Sequence, residues 1–300
     1  MLTRTADIVA TAAARRRGVG AFNVITLEHA EAIVAGAEQA GLPVILQISE
    51  NAVKFHHGRL APIAAAAQAV ARSSTVDVGL HLDHVEQIGL LEEALGNGFS
   101  SVMYDASTVD YLDNLRATSA AAAFCHRHGL WLEGELGAIG GKRGAHAPGV
   151  RTDPREARDY VAATGVDALA VAVGSAHAMT SRSAELDHEL IRRLRSALPC
   201  PLVLHGSSGV ADDALVAAVR AGMTKINVGT ALNIASTGAV REFLGSDPAA
   251  VDPRLYLTKA RAAMAGTVAH LLRVLATPAE SGTPVPAAAA AFPAAPVACS

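Results

Sequence analysis

Eight times along this 300-residue chain, a short and continuously apolar run is followed by a stretch with helical periodicity. The runs are GVGAFNV (18–24), PVILQIS (43–49), DVGLHLD (77–83), SVMYD (101–105), LWLEGEL (130–136), ALAVAVG (168–174), PLVLHG (201–206) and KINVGT (225–230). Continuous apolarity is what a strand covered on both faces requires, and amphipathic segments such as LEHAEAIVAGAEQA (27–40) imply parallel crossovers between such strands. Gly41, Gly98, Gly129, Gly165 and Gly222 each stand between a helical run and the next strand, where helices stop. Eight units of this kind predict an α/β fold, a (β/α)8 TIM barrel, with MLTRTADIVATAAARRR (1–17) as an extra N-terminal helix. A doubly wound open sheet fits the same alternation, but no G-x-G-x-x-G follows the first strand. The segment DPRLYLTKARAAMAGTVAHLLRVLA (252–276) predicts a C-terminal helical extension, which sets the barrel domain at 1–276. Residues 277–300 are rich in Pro and Ala without periodicity; such a segment buries too little to offset its ordering entropy and is predicted to be a disordered tail.

Composition narrows the class of partner. The formal net charge of −3 carries no basic excess for a nucleic-acid backbone, and Lys and Arg are scattered. Three cysteines, Cys125, Cys200 and Cys299, lack C-x-x-C spacing; a sparse, odd count suits a reduced compartment better than a disulfide framework. Asp7 interrupts the first apolar stretch and the basic cluster follows it, the reverse of a secretory signal, and no apolar run reaches membrane-spanning length. The expectation is a soluble cytoplasmic protein with a small-molecule substrate, bound to neither nucleic acid nor membrane.

A barrel gathers the polar residues in one place. Asn23, Ser49, Asp83, His84, Asp105, Glu133, Glu135, His177, His205, Ser207, Ser208, Asn227 and Thr230 all fall at or just past strand C-termini, the face that carries the active site in TIM barrels. Any one strand-end histidine serves equally well as a hydrogen-bonded structural residue. Three on separate strands, His84, His177 and His205, with carboxylates between them, point to a metal ion with an open coordination position, as catalytic zinc uses. Strand alternation alone would turn Asp83 away from His84 unless the strand has ended there. Ser-Ser-Gly after the seventh strand and Asn-Val-Gly-Thr at the eighth place small residues and backbone N–H groups where such barrels hold phosphate.

The motifs AFNV (21–24), LHLDH (80–84), LEGELGAIGG (132–141), VGSAH (173–177), LVLHGSSG (202–209), INVGT (226–230) and DPRLYL (252–257) together resemble the class II, metal-dependent ketose-bisphosphate aldolases, which include fructose- and tagatose-bisphosphate aldolases. The resemblance implies cleavage or formation of a ketose (bis)phosphate through a zinc-stabilised enediolate of dihydroxyacetone phosphate. It assigns His84, His177 and His205 to zinc, Asp83 to proton transfer at the C4 hydroxyl and Asn227 to the ketone. Glu135 and Asp105 match positions that bind a second or displaced cation. Asn23, Ser49, Gly206, Ser207, Ser208 and Thr230 line the phosphate-binding mouth, and Arg254 matches an arginine for the far phosphate. The family's habit suggests a homodimer or homotetramer. Zinc as Lewis acid makes a lysine Schiff base unnecessary, and Lys225, at the start of the eighth strand, is expected at the structural end of the barrel.

The chain also departs from the family pattern. Arg143 stands where an acidic loop residue is taken to move the α-proton, and arginine does not serve as a base. His146 is the nearest titratable candidate. Gly229 takes a position where fructose-specific enzymes often carry aspartate, which leans away from fructose, and HGSSG replaces the commoner HGGSG. The loop substitution leaves two alternatives: a metal- and phosphate-binding sensor or scaffold without turnover, or another zinc-dependent lyase acting on a different phosphorylated substrate.

Overall fold

The computed structural model describes residues 1–136, 151–176 and 179–277. Eight parallel strands close into a barrel in sequence order: β1 (Val19–Asn23), β2 (Val44–Ser49), β3 (Val78–Val85), β4 (Ser101–Tyr104), β5 (Trp131–Glu135), β6 (Ala168–Ala170), β7 (Leu202–Leu204) and β8 (Met223–Val228), which pairs back to β1. The helices among the described residues are α1 (Thr5–Ala14), α2 (Leu27–Ala40), α3 (Glu50–Phe55), α4 (Leu60–Ser73), α5 (Gly89–Gly96), α6 (Tyr111–Arg127), α7 (Pro154–Thr164), α8 (His188–Ala197), α9 (Asp212–Ala221), α10 (Thr230–Ser246) and α11 (Pro253–Leu275). Gly41 ends α2 at φ 64°, a left-handed turn in which a side chain is strained, so the crossover returns to β2 within three residues.

Strand alternation divides the core in two. Leu46, Leu80, Val102, Leu132, Ile226 and Val228 point outward into the layer between sheet and helices. Val19, Ala21, Ile45, Met103, Trp131, Ala168, Ala170 and Val203 form a second cluster with Ile8, Val9 and Ala12 of α1, which thereby caps the N-terminal end of the barrel. Two residues further along these strands the inward positions turn polar at Asn23, Gln47, Glu133 and His205, and Asn227 of β8 joins them. The apolar floor made with α1 thus supports a buried polar storey, and the site stands on that storey.

The predicted strand 168–174 is longer than the observed β6. Beyond Ala170 the chain turns to another partner: Ala172 accepts from the backbone N–H of Thr152 and donates to its hydroxyl, at 3.0 and 2.8 Å. The helical extension predicted at 252–276 is α11, which packs along α2 and α10, and the predicted N-terminal helix is α1. Of the expected tail at 277–300, all but Thr277 lies outside the described residues.

Candidate active site

The residue that shapes the site is His84. It takes φ 48°, and the β3–β4 register shifts between Leu82 and Val85. A bulge of this kind cancels alternation for one residue, so Asp83 and His84 both face the mouth of the barrel although they are sequence neighbours. The predicted strand stopped at Asp83; the observed strand runs through the bulge to Val85.

His84 meets His205, just past the end of β7, with ring centroids 4.8 Å apart and planes at 90°. The outer nitrogen of each ring engages a carboxylate: His84 Nδ1 lies 2.7 Å from Asp105 Oδ2, and His205 Nε2 lies 3.0 Å from Glu133 Oε1. A carboxylate only accepts, so both outer nitrogens carry their protons, and the inner pair, His84 Nε2 and His205 Nδ1, face each other at 3.0 Å. Two imidazole lone pairs that close repel, so either a proton on His84 that hydrogen-bonds to His205 or a cation between the rings must satisfy both. Asp83 Oδ2 stands 3.9 Å from His84 Nε2, and Asp83 Oδ1 is buried and accepts no hydrogen bond.

The electrostatics express the same demand. Burial alone would lower the pKa of His84, but Asp83, Asp105 and Glu135 outweigh it and raise it to about 10. Burial likewise opposes ionisation of Asp83, yet His84, His81, His205 and Lys225 hold its carboxyl well below the usual range, and His84 with Ser107 does the same for Asp105. The donor set fits a divalent cation that prefers imidazole nitrogen: His84 and His205 supply nitrogens, Asp83 lies within reach, and their outer nitrogens are fixed as metal-ligating histidines require. The third expected ligand, His177, lies outside the described residues, as do Arg143 and His146. Asp105, expected at a second cation site, does group with His84 and Glu135, but both its oxygens are engaged, one by His84 and one by the Ser107 backbone N–H and hydroxyl. Its observed work is to orient His84.

Above this centre opens a cavity of about 780 Å³ lined by Asn23, Gln47, Ser49, Asp83, Asp105, Glu135, Gly206, Ser208, Asn227 and Thr230, among others. Gly206 has φ 68° and lies against the Ala176 backbone so closely that a Cβ would collide with it. It leads into a single 3-10 turn, Ser207–Gly209. That turn brings Ser208 Oγ to the Ala231 backbone N–H at 3.0 Å, beside the N-terminus of α10, whose partial positive charge suits an anion.

Two predicted contacts are not brought to this cavity. Ser207 is buried, its hydroxyl donating to the Leu204 carbonyl at 3.2 Å, because the 3-10 turn points it inward. Arg254, in the first turn of α11, is largely exposed and forks onto Asp252 at 2.7–3.0 Å. A third correction concerns Lys225. It does not point to the structural end; fully buried in β8, it climbs the interior to place Nζ 2.9 Å from Asn227 Oδ1. Sequence reasoning missed Gln47, His81 and Lys225 as parts of the site's foundation, although a lysine set between Met, Ile and Val in a strand was a signal available in the sequence.

The sequence family described as "Fructose-bisphosphate aldolase class-II" matches residues 3–279. The chain is 37% identical over 258 residues to a fructose-bisphosphate aldolase of Geobacillus stearothermophilus, covering 85% of this chain and 90% of that protein. It is 35% identical over 291 residues to the fructose-bisphosphate aldolase of Thermus caldophilus, covering 88% and 94%. Among solved structures, the YdjI aldolase of Escherichia coli K12 superposes with a TM-score of 0.79 at 29% identity, over 92% of this chain and 97% of that one. With a closed eight-stranded barrel, paired histidines at its C-terminal mouth and matches of this length, the chain belongs to the class II fructose-bisphosphate aldolase family.

Proposed function

We propose that this chain is a zinc-dependent aldolase that cleaves or forms a ketose (bis)phosphate through the enediolate of dihydroxyacetone phosphate. The observation that carries the reading is the pair of inward imidazole nitrogens, 3.0 Å apart beside the buried Asp83 carboxylate. His84 and His205, with His177 as third ligand, would hold the cation. When bound, zinc supplies Lewis acidity toward a carbonyl oxygen. Asp83, kept ionised by its cationic neighbours, takes the proton from the substrate hydroxyl next to the breaking carbon–carbon bond and returns it in condensation, a role worth about 10²–10⁴-fold. Asn23 and Asn227 reach the substrate's oxygens from the cavity wall. Gly206, Ser208 and Thr230 receive a phosphate at the α10 N-terminus. A Schiff base is disfavoured because Lys225 does not line the cavity and its ammonium is engaged by Glu133 at 2.8 Å, while Lys54, which does line it, is paired with Glu50 at 2.9 Å, a contact that raises its pKa and keeps it a charged, poor nucleophile.

The same proposal includes a cytoplasmic homodimer or homotetramer. In support, α10 buries only Leu232 and leaves Ile234 48% exposed, an apolar face that a second subunit would cover. The test is a coupled assay of dihydroxyacetone phosphate release from fructose bisphosphate and tagatose bisphosphate, with and without chelator. Chelator-sensitive release, restored by zinc, is the expected result. Release indifferent to chelator rejects zinc, and no release from any ketose bisphosphate favours a sensor.

A further inference from the structure

Directly beneath the site lies a charge cluster that the mechanism above does not use. Lys225 and Glu133 are both 0% exposed, and neither lines the cavity. Lys225 Nζ donates to Glu133 Oε2 at 2.8 Å and to Asn227 Oδ1 at 2.9 Å; its third proton is shared between Gln47 Oε1 at 3.3 Å and His81 Nε2 at 3.5 Å. An ammonium has three donors and no acceptor, so every amide it touches must turn its oxygen toward it. Asn227 is thereby fixed with its NH2 group away from Lys225, Nδ2 lying 3.1 Å from His205 Nε2 on the cavity wall. Gln47, with its oxygen on Lys225, donates through Nε2 to Asn23 Oδ1 at 2.9 Å, which in turn leaves the Asn23 NH2 group for the cavity. The other half of the cluster acts on His205. Glu133 Oε1 accepts from His205 Nε2, so the lone pair remains on Nδ1, the nitrogen that faces His84.

We propose that Lys225 and Glu133 form a buried positioning hub: Lys225 fixes which way two amides face, the Asn23 NH2 group toward the cavity and the Asn227 NH2 group beside His205, and the Glu133 carboxylate, accepting where the Asn227 amide does not, sets the tautomer of His205 with Nδ1 outward. The hub rests on the aldolase reading for its purpose. Its geometry explains why a buried ion pair occupies a storey where apolar residues of the same volume would fold as well or better. Asn23 is reached through one intermediary and Asn227 directly, so a single lysine on β8 sets amide polarity on two neighbouring strands, β8 and β1.

Two variants test the hub. Glu133→Leu combined with Lys225→Met replaces the pair by apolar side chains without stranding either charge. The expected outcome is a melting temperature near wild type and a zinc affinity weaker by about 10–100-fold in chelator competition. Measured on a His84→Ala background, where no ring donates to Nδ1, ¹⁵N shifts of labelled histidine in the metal-free protein are expected to show that the double variant has lost the Nε2-protonated form of His205. Gln47→Glu is isosteric and keeps a partner for Lys225, but it accepts where Gln47 donated, so Asn23 must turn its own oxygen to the cavity. Its expected signature is KM for the bisphosphate raised at least about tenfold, through one misplaced acceptor at an anion site, with zinc affinity unchanged. Wild-type zinc affinity and tautomer in the double variant, or wild-type KM in Gln47→Glu, would overturn the hub. Should the double variant fail to fold, Gln47→Glu and its KM decide alone. A wild-type protein that cleaves no ketose bisphosphate overturns the aldolase reading instead, and the tautomer readout then still decides the Glu133 arm.

Discussion

Asp83 and His84 are adjacent in sequence, yet the proposed mechanism gives them different duties, and the difference is measurable. Asp83→Asn keeps the shape of the side chain but cannot exchange the proton; zinc content is expected to stay stoichiometric while kcat falls by at least about 10²-fold. His205→Ala removes one of the nitrogens at the 3.0 Å contact and is expected to lose zinc itself, as read by metal analysis after dialysis. Retained zinc in the second variant, or near-normal turnover in the first, contradicts the assignment. At this scale the sequence was legible where chemistry sits at strand ends: Asp83, His84, Asp105, His205 and Asn227 all reach the cavity. How far Lys225 reaches was not legible, because a position in a strand fixes the Cβ direction and not how far a four-carbon stem then climbs. Arg254 and Ser207 failed for a related reason, since their backbones lie close to expectation but local partners, Asp252 and the Leu204 carbonyl, hold the side chains elsewhere.

Among the elements, β3 is the one that departs from regular geometry. A left-handed residue other than glycine costs roughly 1–2 kcal/mol, and here it buys the shared facing of Asp83 and His84. Replacing His84 by Gly and by Ala removes the imidazole in both cases but relieves the backbone only in the first. His84→Gly is therefore expected to be the more stable of the two by about 1 kcal/mol in denaturant unfolding; the reverse order would mean that the backbone is not strained there. Nothing in LHLDH announces the bulge, because the pattern reads equally as a strand that ends one residue earlier. A second element-scale device is Glu50, at the start of α3. Its buried carboxylate accepts from the Glu86 and Gln87 backbone N–H groups at 2.8 and 3.1 Å, from Gln87 Nε2 at 2.9 Å, and pairs with Lys54 at 2.9 Å. Burial would raise its pKa, but these partners lower it to about 2 from 4.5. A depressed carboxyl stabilises the fold fully above its unfolded pKa and loses that contribution as pH falls through the folded value. The melting temperature of the wild type is thus expected to fall more steeply than that of Glu50→Gln from about pH 5 to about pH 3, with the variant less stable at neutral pH. Parallel curves would show that Glu50 does not link stability to pH.

For the whole molecule, the eightfold alternation was enough to read the closed barrel, α1 and α11, since doubly buried strands and amphipathic helices leave few other arrangements. What alternation does not reveal is vertical order, the change from the apolar floor at Ile45, Met103 and Trp131 to the polar storey at Gln47, Glu133 and Lys225. That order arises from cross-strand neighbours, which a linear reading does not contain. The ring itself has a mechanical consequence. His84 belongs to the first four strands and His205 to the last four, so a cation held by both is a clasp joining two halves of one circle. Any motion that parts β3 from the end of β7 must undo the clasp first. With free zinc at a thousand times its dissociation constant, the clasp adds about 4 kcal/mol to that opening. Hydrogen exchange of the β3 and β7 amides is expected to slow as zinc rises and to quicken on chelation, whereas helix-end amides stay indifferent. Equal slowing everywhere, or none, would mean that the two halves are not fastened through the mouth.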